Sequence, residues 1–368
     1  MIQHSYSPSL EQKVGQLFFI GIAGPQIDEA TKELLDQIMP GGICLFARNI
    51  REAGQTRDLL EAIRSTLTVR PFLSVDQEGG LVDRLKRVLT PMPAASKITT
   101  GGEAHQLAAI IAEALRMLGF NMDFAPVVDV VDEKRSDYSN GLTSRTFGRA
   151  KEDVAELAGA FLNRLHQGGI IGCIKHFPGL AASRVDSHED LPLVDISESE
   201  LDSLDLYPYR VLLACADVRA VMVAHAAFPG HRLQERDQNG KLLPSSLSYG
   251  FITTMLRGEL GFDGLVVTDD LEMGAIIKNY GVGTACKLAI SAGVDMLAVC
   301  ADPDAVREGY SAVLNAVRDG EISLDRLEVS LERISKAKSQ LSEPIDFEPG
   351  RLDALSIEIA GLNSRLTH

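Results

Sequence analysis

Short apolar runs alternate with longer segments of helical periodicity along most of the chain. The runs are rich in β-branched and aliphatic residues and end at or near a polar residue, which is typical of parallel strands buried on both faces. Eight runs have this form: Phe18–Ile22, Ile43–Phe46, Phe72–Val75, Met122–Ala125, Gly172–Lys175, Val221–Ala224, Leu265–Thr268 and Met296–Val299. The alternation therefore predicts eight strand and helix units of an α/β protein.

Several of the intervening segments carry helix start signals. Ser9 and Gln12 have the spacing of a capping box, and Asp302 precedes Pro303 as an N-cap precedes a proline at the first helical position. Helix-length periodicity covers Ala104–Leu118, Glu152–Leu165 and Pro303–Val317.

Eight units favour a closed (β/α)8 barrel of the TIM type over an open doubly wound sheet, because no glycine-rich dinucleotide fingerprint follows the first run. We predict a single barrel domain over residues 1–343 and an extension over residues 344–368. The segment Leu352–Leu366 of this extension is expected to form a helix that covers a flank of the barrel or a partner subunit.

Polar residues follow the apolar runs at one end. They are Arg48-Asn49, Asp76-Gln77-Glu78, Asp129, Lys175-His176, His225 and Asp269-Asp270. Catalytic groups of such barrels sit at the carboxyl ends of the strands, so this distribution predicts an active site there.

The stretch from Cys173 to Asp195 is the richest in titratable groups. It brings Lys175, His176, Asp186 and His188 close together in sequence, after an apolar run and a turn at Pro178-Gly179. Histidine is the most frequent general acid or base in enzymes, and an aspartate two residues away can assist it in proton transfer. A loop over a pocket can hold such a pair.

Composition and charge argue against several classes of protein. The net charge of −15 and the lack of a basic stripe argue against nucleic acid as a partner. The segment Met1–Ser9 lacks the basic start and apolar run of a signal peptide, and the apolar stretches are too short to span a bilayer, so we expect a cytoplasmic protein without membrane contact. The five cysteines are widely spaced and contain no C-x-x-C pair, so we expect buried thiols, no disulfide and no metal site: Cys44, Cys173, Cys215, Cys286 and Cys300.

Five motifs together resemble glycoside hydrolase family 3. They are Gly41-Gly42-Ile43-Cys44-Leu45-Phe46-Ala47-Arg48-Asn49, Asp76-Gln77-Glu78-Gly79-Gly80, Lys175-His176-Phe177-Pro178-Gly179, Asp186-Ser187-His188 and Thr268-Asp269-Asp270-Leu271-Glu272-Met273. The resemblance extends from about Leu10 to Leu341 and is strongest to the single-domain β-N-acetylhexosaminidases of cell-wall recycling. Several motifs in the family's order make it a specific match.

This resemblance implies a role for particular residues. Asp269 matches the catalytic nucleophile, His188 the general acid/base, and Asp186 the residue that orients and polarises the His188 ring. The sugar-binding positions of the family match Asp76, Arg84, Arg145, Lys175 and His176. The implied activity is retaining release of terminal β-N-acetylglucosamine from a muropeptide, a chito-oligosaccharide or another glycoside, without a cofactor or metal, by a monomer or homodimer.

The chain departs from the family at one place. Family members commonly continue Lys-His-Phe-Pro-Gly with a His-Gly pair, whereas this chain has Leu180-Ala181. The spacing from Gly179 to Asp186 is unchanged, so the loss bears on loop closure and on part of the sugar contact.

Other polar residues near the strand ends admit structural interpretations. Asp270 is interpreted as the N-cap of a helix starting at Leu271, and Glu78 as a residue that could bond the backbone of the Gly79-Gly80 turn. Asp129 and His225 either support other residues or contact substrate. Arg48 and Asn49 are interpreted as supports of the barrel mouth.

Three rival functions remain open on the sequence. Lys175 could form a Schiff base as in a class I aldolase. The apolar pair Leu180-Ala181 would also suit a catalytically silent sugar-binding barrel. A phosphorylase of the same family is the third, since a histidine acid/base does not repel phosphate as a carboxylate would. Among the hydrolases of the family, a β-glucosidase or β-xylosidase is the alternative specificity.

Overall fold

Eight parallel strands form one closed barrel in the computed structural model, which describes residues 8–138, 140–184, 187 and 190–366. In chain order the strands are β1 (Phe18–Gly21), β2 (Gly42–Leu45), β3 (Phe72–Val75), β4 (Gln77–Gly79), β5 (Val82–Asp83), β6 (Met122–Asp123), β7 (Ile171–Phe177), β8 (Ala220–Val223), β9 (Leu265–Asp270) and β10 (Met296–Val299). β4 and β5 form a separate antiparallel hairpin. Pairing of β1 with β10 closes the barrel, which confirms the predicted fold.

Helices surround the barrel. They are α1 (Leu10–Gly15), α2 (Glu29–Ile38), α3 (Ala53–Thr66), α4 (Gly101–Leu118), α5 (Lys151–Gln167), α6 (Glu198–Glu200), α7 (Leu206–Cys215), α8 (Gly274–Ile277), α9 (Val282–Ala292), α10 (Pro303–Arg318), α11 (Leu324–Lys338) and α12 (Pro349–Leu366). Ala95–Lys97 and Ser245–Leu247 form 3-10 turns, and Leu201–Asp205 and Gly250–Glu259 are wound as π-helix.

Two predicted helix starts are confirmed. Ser9 caps α1 in a reciprocal capping box with Gln12, and the Asp302 side chain accepts from the backbone of Asp304 at the start of α10. Both arrangements satisfy amide groups that the first turn of a helix leaves without partners.

Two strands run further than the apolar pattern predicts. β7 continues past Lys175 to Phe177, and β9 continues past Thr268 to Asp270. Polar residues that the sequence places after these strands are therefore held by strand backbone, which fixes their direction more tightly than a loop would.

Aromatic side chains pack between the strands. The Phe19 ring lies 5.6 Å from that of Phe72 and 5.3 Å from that of Phe124, measured between centroids. Gly42 makes room for this cluster, since a Cβ at that position would lie 2.2 Å from a carbon of the Phe19 ring. Burial of these aromatic rings stabilises the barrel.

The last helix described, α12, packs against α4. Leu352, Leu355, Ile359 and Leu362 of α12 are buried, and Arg351 forms a two-pronged ion pair with Glu113 of α4 at 2.5 and 2.8 Å. The predicted helix is present and covers a flank of the barrel.

Four of the five cysteines are buried free thiols, as expected, whereas Cys215 at the end of α7 is exposed. Among the described residues, no helix combines the length and apolar character needed to cross a membrane.

Candidate active site

A cavity of about 530 Å³ opens at the carboxyl ends of the barrel strands. Every candidate site residue that the structure describes lines it: Asp76, Arg84, Arg145, Lys175, His176 and Asp269. The fold thus brings together side chains from β7, β9 and the segments after β3, β5 and β6. The other two candidates, Asp186 and His188, lie outside the described residues.

Lys175 and two carboxylates form the charged floor of the cavity. The Lys175 Nζ lies 2.6 Å from Asp76 Oδ1 and 2.7 Å from Glu78 Oε1. Burial alone would lower the pKa of Lys175, but Asp76 and Glu78 outweigh it and raise the pKa above its ordinary value. The ammonium therefore stays charged, which argues against Lys175 as the free amine of a Schiff-base enzyme.

Arg145 completes this cluster. Its Nε and Nη2 donate to the two oxygens of Glu78 at 2.7 and 2.8 Å, a bidentate pair. Burial would raise the pKa of Glu78, yet Lys175 and Arg145 lower it to about 2. Glu78 binds these two cations, so the interpretation that it bonds the glycine turn is replaced by a role in fixing Lys175 and Arg145.

His176 is oriented by Asp129. Its Nδ1 donates to Asp129 Oδ2 at 2.7 Å, and the backbone amide of Leu180 donates to Asp129 Oδ1 at 2.6 Å. Its Nε2 lies 3.3 Å from Arg145 Nη2. Asp129 is buried and both its oxygens are used, so it acts through His176 and the backbone.

Asp269 presents a carboxylate at the end of β9. Burial would raise its pKa, but His176, His225 and the backbone amide of Asp270 outweigh burial and lower it. That amide donates to Asp269 Oδ1 at 2.8 Å. An ionised carboxylate facing the cavity has the charge state that a nucleophile requires.

The neighbouring Asp270 has a different environment. Burial raises the pKa of its carboxyl to about 7. It does not cap a helix at Leu271, because β9 extends through Asp270 and α8 starts only at Gly274, with Met273 as its N-cap. The Asp270 side chain instead accepts from the backbone of Glu272 at 3.1 Å.

His225 is a fully buried support between β8 and β9. Its Nε2 donates to the Asp270 carbonyl at 3.0 Å, and its Nδ1 lies 2.7 Å from the Ser246 hydroxyl. Burial lowers the pKa of His225. Both ring nitrogens are used, so substrate contact is not its role.

Arg48 and Asn49 support the barrel mouth as interpreted from the sequence. Arg48 donates to the Cys300 carbonyl at 2.6 Å, and Asn49 donates to the carbonyls of Ile22 and Gly24 at 3.0 and 2.8 Å. These bonds tie the segment after β2 to those after β1 and β10.

Leu180 and Ala181 form part of an apolar wall. Their exposed fractions are 6% and 0%, and Leu180 lines the cavity. The position at which the family resemblance predicts a His-Gly pair is thus closed and apolar in this chain.

Sequence reasoning missed the partnership of Glu78 with Lys175 and Arg145, although the acidic motif Asp76-Gln77-Glu78 carried the signal. It also missed Asp123, whose carboxyl is fully buried with a pKa raised by burial. The Asp123 position inside an apolar run gave no indication of its contact with the backbone of Gln77 at 2.9 Å.

We expect Glu78→Gln to lower the free energy of unfolding by about 3 kcal/mol, because it leaves buried Lys175 and Arg145 short of a counter-charge. Urea unfolding at neutral pH measures this loss. The exposed Glu61→Gln is the control and should change stability by less than about 0.5 kcal/mol.

The stability that Glu78 contributes through Lys175 and Arg145 should depend on pH. The pKa of Glu78 is depressed from 4.5 to about 2, so its contribution is complete above its ordinary pKa and is lost as the pH falls through that window. The difference in the free energy of unfolding between the wild type and Glu78→Gln should therefore become smaller near pH 2. An unchanged difference would contradict the assigned ion cluster.

The chain matches known proteins over most of its length. Residues 9–337 match the profile described as "Glycosyl hydrolase family 3 N terminal domain". A β-hexosaminidase of Pseudomonas aeruginosa is 35% identical over 289 residues, covering 77% of this chain and 82% of the relative. A β-hexosaminidase of Tolumonas auensis is 30% identical over 305 residues, which cover 82% of this chain and 86% of that relative.

A solved structure of a glycoside hydrolase family 3 β-N-acetylglucosaminidase from Paenibacillus sp. str. FPU-7 superimposes with a TM-score of 0.87 at 34% identity. The match covers 97% of this chain and 69% of that one. The chain therefore belongs to glycosyl hydrolase family 3, and it is an enzyme of the glycosidase class.

Proposed function

We propose that this enzyme is a retaining β-N-acetylglucosaminidase that releases terminal non-reducing sugars through a covalent glycosyl-aspartate. The observation that carries the proposal is the ionised Asp269 in one cavity with the Lys175, His176 and Arg145 cluster. The names of the relatives, β-hexosaminidase and β-N-acetylglucosaminidase, support the choice of sugar.

Binding precedes the chemistry. Asp76 can accept hydrogen bonds from a diol, while Lys175, Arg145 and Arg84 can donate to sugar oxygens. Arg84 is suited to this role, because it lines the cavity and its buried Nε lacks a partner in the described part of the chain. Prior pairing with Glu78 and Asp129 holds Arg145 and His176 in place, which reduces the entropy lost on binding.

In the first step a carboxylate oxygen of Asp269 attacks the anomeric carbon. The bond from that carbon to the leaving oxygen breaks, and this oxygen takes a proton from His188, which Asp186 orients and polarises. The product of the step is a glycosyl ester of Asp269 and the free aglycone.

In the second step His188 takes a proton from water, whose oxygen attacks the anomeric carbon. The ester bond breaks and Asp269 leaves as a carboxylate. Two inversions give net retention. The ordinary imidazole pKa of about 6.5 lets His188 serve as acid and then as base near neutrality.

The physiological part of the proposal is peptidoglycan recycling in the cytoplasm, with a muropeptide or a chito-oligosaccharide as substrate. Neither nucleic acid nor a membrane is needed, and the enzyme acts as a monomer or homodimer. The acidic balance of the chain supports the exclusion of nucleic acid.

A panel of chromogenic glycosides tests the sugar. We expect turnover of the β-N-acetylglucosaminide and much slower turnover of the β-glucoside and β-xyloside. Faster turnover of either of the latter would replace the proposed specificity with that of a β-glucosidase or β-xylosidase, and binding of N-acetylglucosamine without any turnover would identify a silent barrel. Sugar phosphate formed only in phosphate buffer would identify a phosphorylase.

We expect Leu180→His combined with Ala181→Gly to lower the Michaelis constant for β-N-acetylglucosaminides by about two- to tenfold, by restoring one hydrogen bond to sugar. Steady-state kinetics measure the change, and Leu180→Met with intact Ala181 is the apolar control. A double variant that turns over substrate when the wild type is inert would show that the apolar pair had silenced the site.

A further inference from the structure

A second cavity, of about 660 Å³, lies at the amino-terminal end of the barrel. It is bounded by α1, by α11 and by the segments that lead from α2 and α3 into β2 and β3. These segments meet the strands at the end opposite to Asp269, so the second cavity is separate from the candidate active site.

The walls of this cavity are mainly apolar. Met39, Leu67, Leu331 and Ile334 line it, and Val69 at its edge is 47% exposed. Its volume is that of a pocket for a small organic ligand, and an apolar lining of this kind favours an apolar portion in the occupant.

The amine of Lys338 lies in this apolar setting and is held by neutral groups. Lys338 Nζ donates to Gln16 Oε1 at 2.7 Å and lies 5.4 Å from the centroid of the Phe72 ring. The Gln16 amide is fixed in this direction, because its Nε2 donates to the Met39 carbonyl at 2.8 Å. Among the described residues no carboxylate lies within ion-pair distance of Lys338.

The other charges around Lys338 are already matched. Lys13 of α1 pairs with Glu328 of α11 at 2.5 Å. Arg70 pairs with Glu343 at 3.0 Å and donates to the carbonyls of Leu341 and Ser342, which leaves its buried Nε without a partner in the described part of the chain. The cavity therefore holds one amine that has no carboxylate partner in the described part of the chain, beside an apolar wall.

We propose that this cavity binds a small amphipathic monocarboxylate, with the carboxylate against Lys338 and the hydrocarbon along Leu67, Leu331 and Ile334. A carboxylate supplies the missing counter-charge, and its hydrocarbon replaces water on the apolar wall. The site is independent of the proposed catalytic residues.

The protonation of Lys338 links this binding to pH. Burial lowers its pKa to about 7, and a bound carboxylate raises it again, so binding takes up a proton near neutrality. Affinity should fall by up to about tenfold per pH unit above about pH 7 and level off below it while the carboxyl of the ligand stays ionised. The other charged groups that line the cavity are already in ion pairs, Lys13 with Glu328 and Arg70 with Glu343.

Calorimetric titration with octanoate and with 1-octanol tests the proposal on the full chain. We expect octanoate to bind about tenfold or more tightly than 1-octanol at pH about 6, and to take up about half a proton at pH 7. Equal affinities, no binding of octanoate, or binding without proton uptake would each overturn it.

Lys338→Met keeps the apolar stem and removes the amine, so it should weaken octanoate binding about tenfold. Lys336→Met is the matched control on the same helix, since Lys336 is 67% exposed and pairs with Asp263, and it should bind octanoate as the wild type does. Turnover of the chromogenic glucosaminide should be the same in all three proteins. If Lys338→Met binds octanoate as tightly as the wild type does, the proposal is overturned. If that variant does not fold, the proton uptake measured when the wild type binds octanoate tests the proposal instead.

Discussion

Asp269→Asn is expected to lower kcat by about three orders of magnitude or more, equivalent to about 4 kcal/mol of barrier. The amide is nearly isosteric with the carboxylate but cannot attack the anomeric carbon. It can still accept from the Asp270 amide, so the end of β9 should keep its shape. Steady-state kinetics on the chromogenic β-N-acetylglucosaminide measure the loss, and calorimetry should show that the variant still binds N-acetylglucosamine.

Asp270→Asn is the matched control. The Asp270 carboxyl has a pKa of about 7 and accepts from the backbone of Glu272, which an amide oxygen can also do. Its kcat should stay within about tenfold of the wild type. An inactive Asp270→Asn together with an active Asp269→Asn would show that Asp270, and not Asp269, is the nucleophile.

His188→Ala is expected to lower kcat/KM by about two to four orders of magnitude for glycosides with poor leaving groups. The loss should be far smaller for activated aryl glycosides, whose leaving oxygen departs without full protonation. Comparing a nitrophenyl glycoside with a chito-oligosaccharide measures the difference.

Asp186→Asn is the companion variant, with a milder loss and a shifted pH profile, because it removes only the charge that polarises His188. If both substrate classes suffer equally in His188→Ala, the histidine is structural and the acid/base lies elsewhere.

The barrel was predictable because its signal is local and repeated. Each apolar run has the length of a buried strand, and the helical segments between runs make parallel pairing the economical arrangement. Strand ends were less predictable: Asp269 and Asp270 are polar, so hydrophobicity alone ends β9 at Thr268, whereas backbone pairing carries it to Asp270. The mistaken helix cap at Asp270 follows from that difference.

The members of the site were predictable from motifs, but their partnerships were not. Glu78 and Arg145 are 67 positions apart in the chain, and only the folded barrel puts their side chains into a bidentate pair. The same is true of His176 and Asp129. Motif spacing fixes which residues are present near a strand end, while the direction of each hydrogen bond depends on the barrel's tilt and register.

The second cavity had no sequence signal. Lys338 ends an amphipathic helix whose last turn is basic, an ordinary arrangement at a helix carboxyl end. Only the folded arrangement, with α11 packed beside α1, places the Lys338 amine away from the carboxylates of the described residues.

Trapping the glycosyl-enzyme tests the central claim most directly. A fluorinated, activated glycoside of N-acetylglucosamine slows the second step more than the first, so the covalent intermediate accumulates and can be mapped by peptide mass spectrometry. We predict one added sugar, on the peptide that contains Asp269, and no label in Asp269→Asn. Label on a different residue, or turnover of the probe by an enzyme that never carries label, would contradict the account.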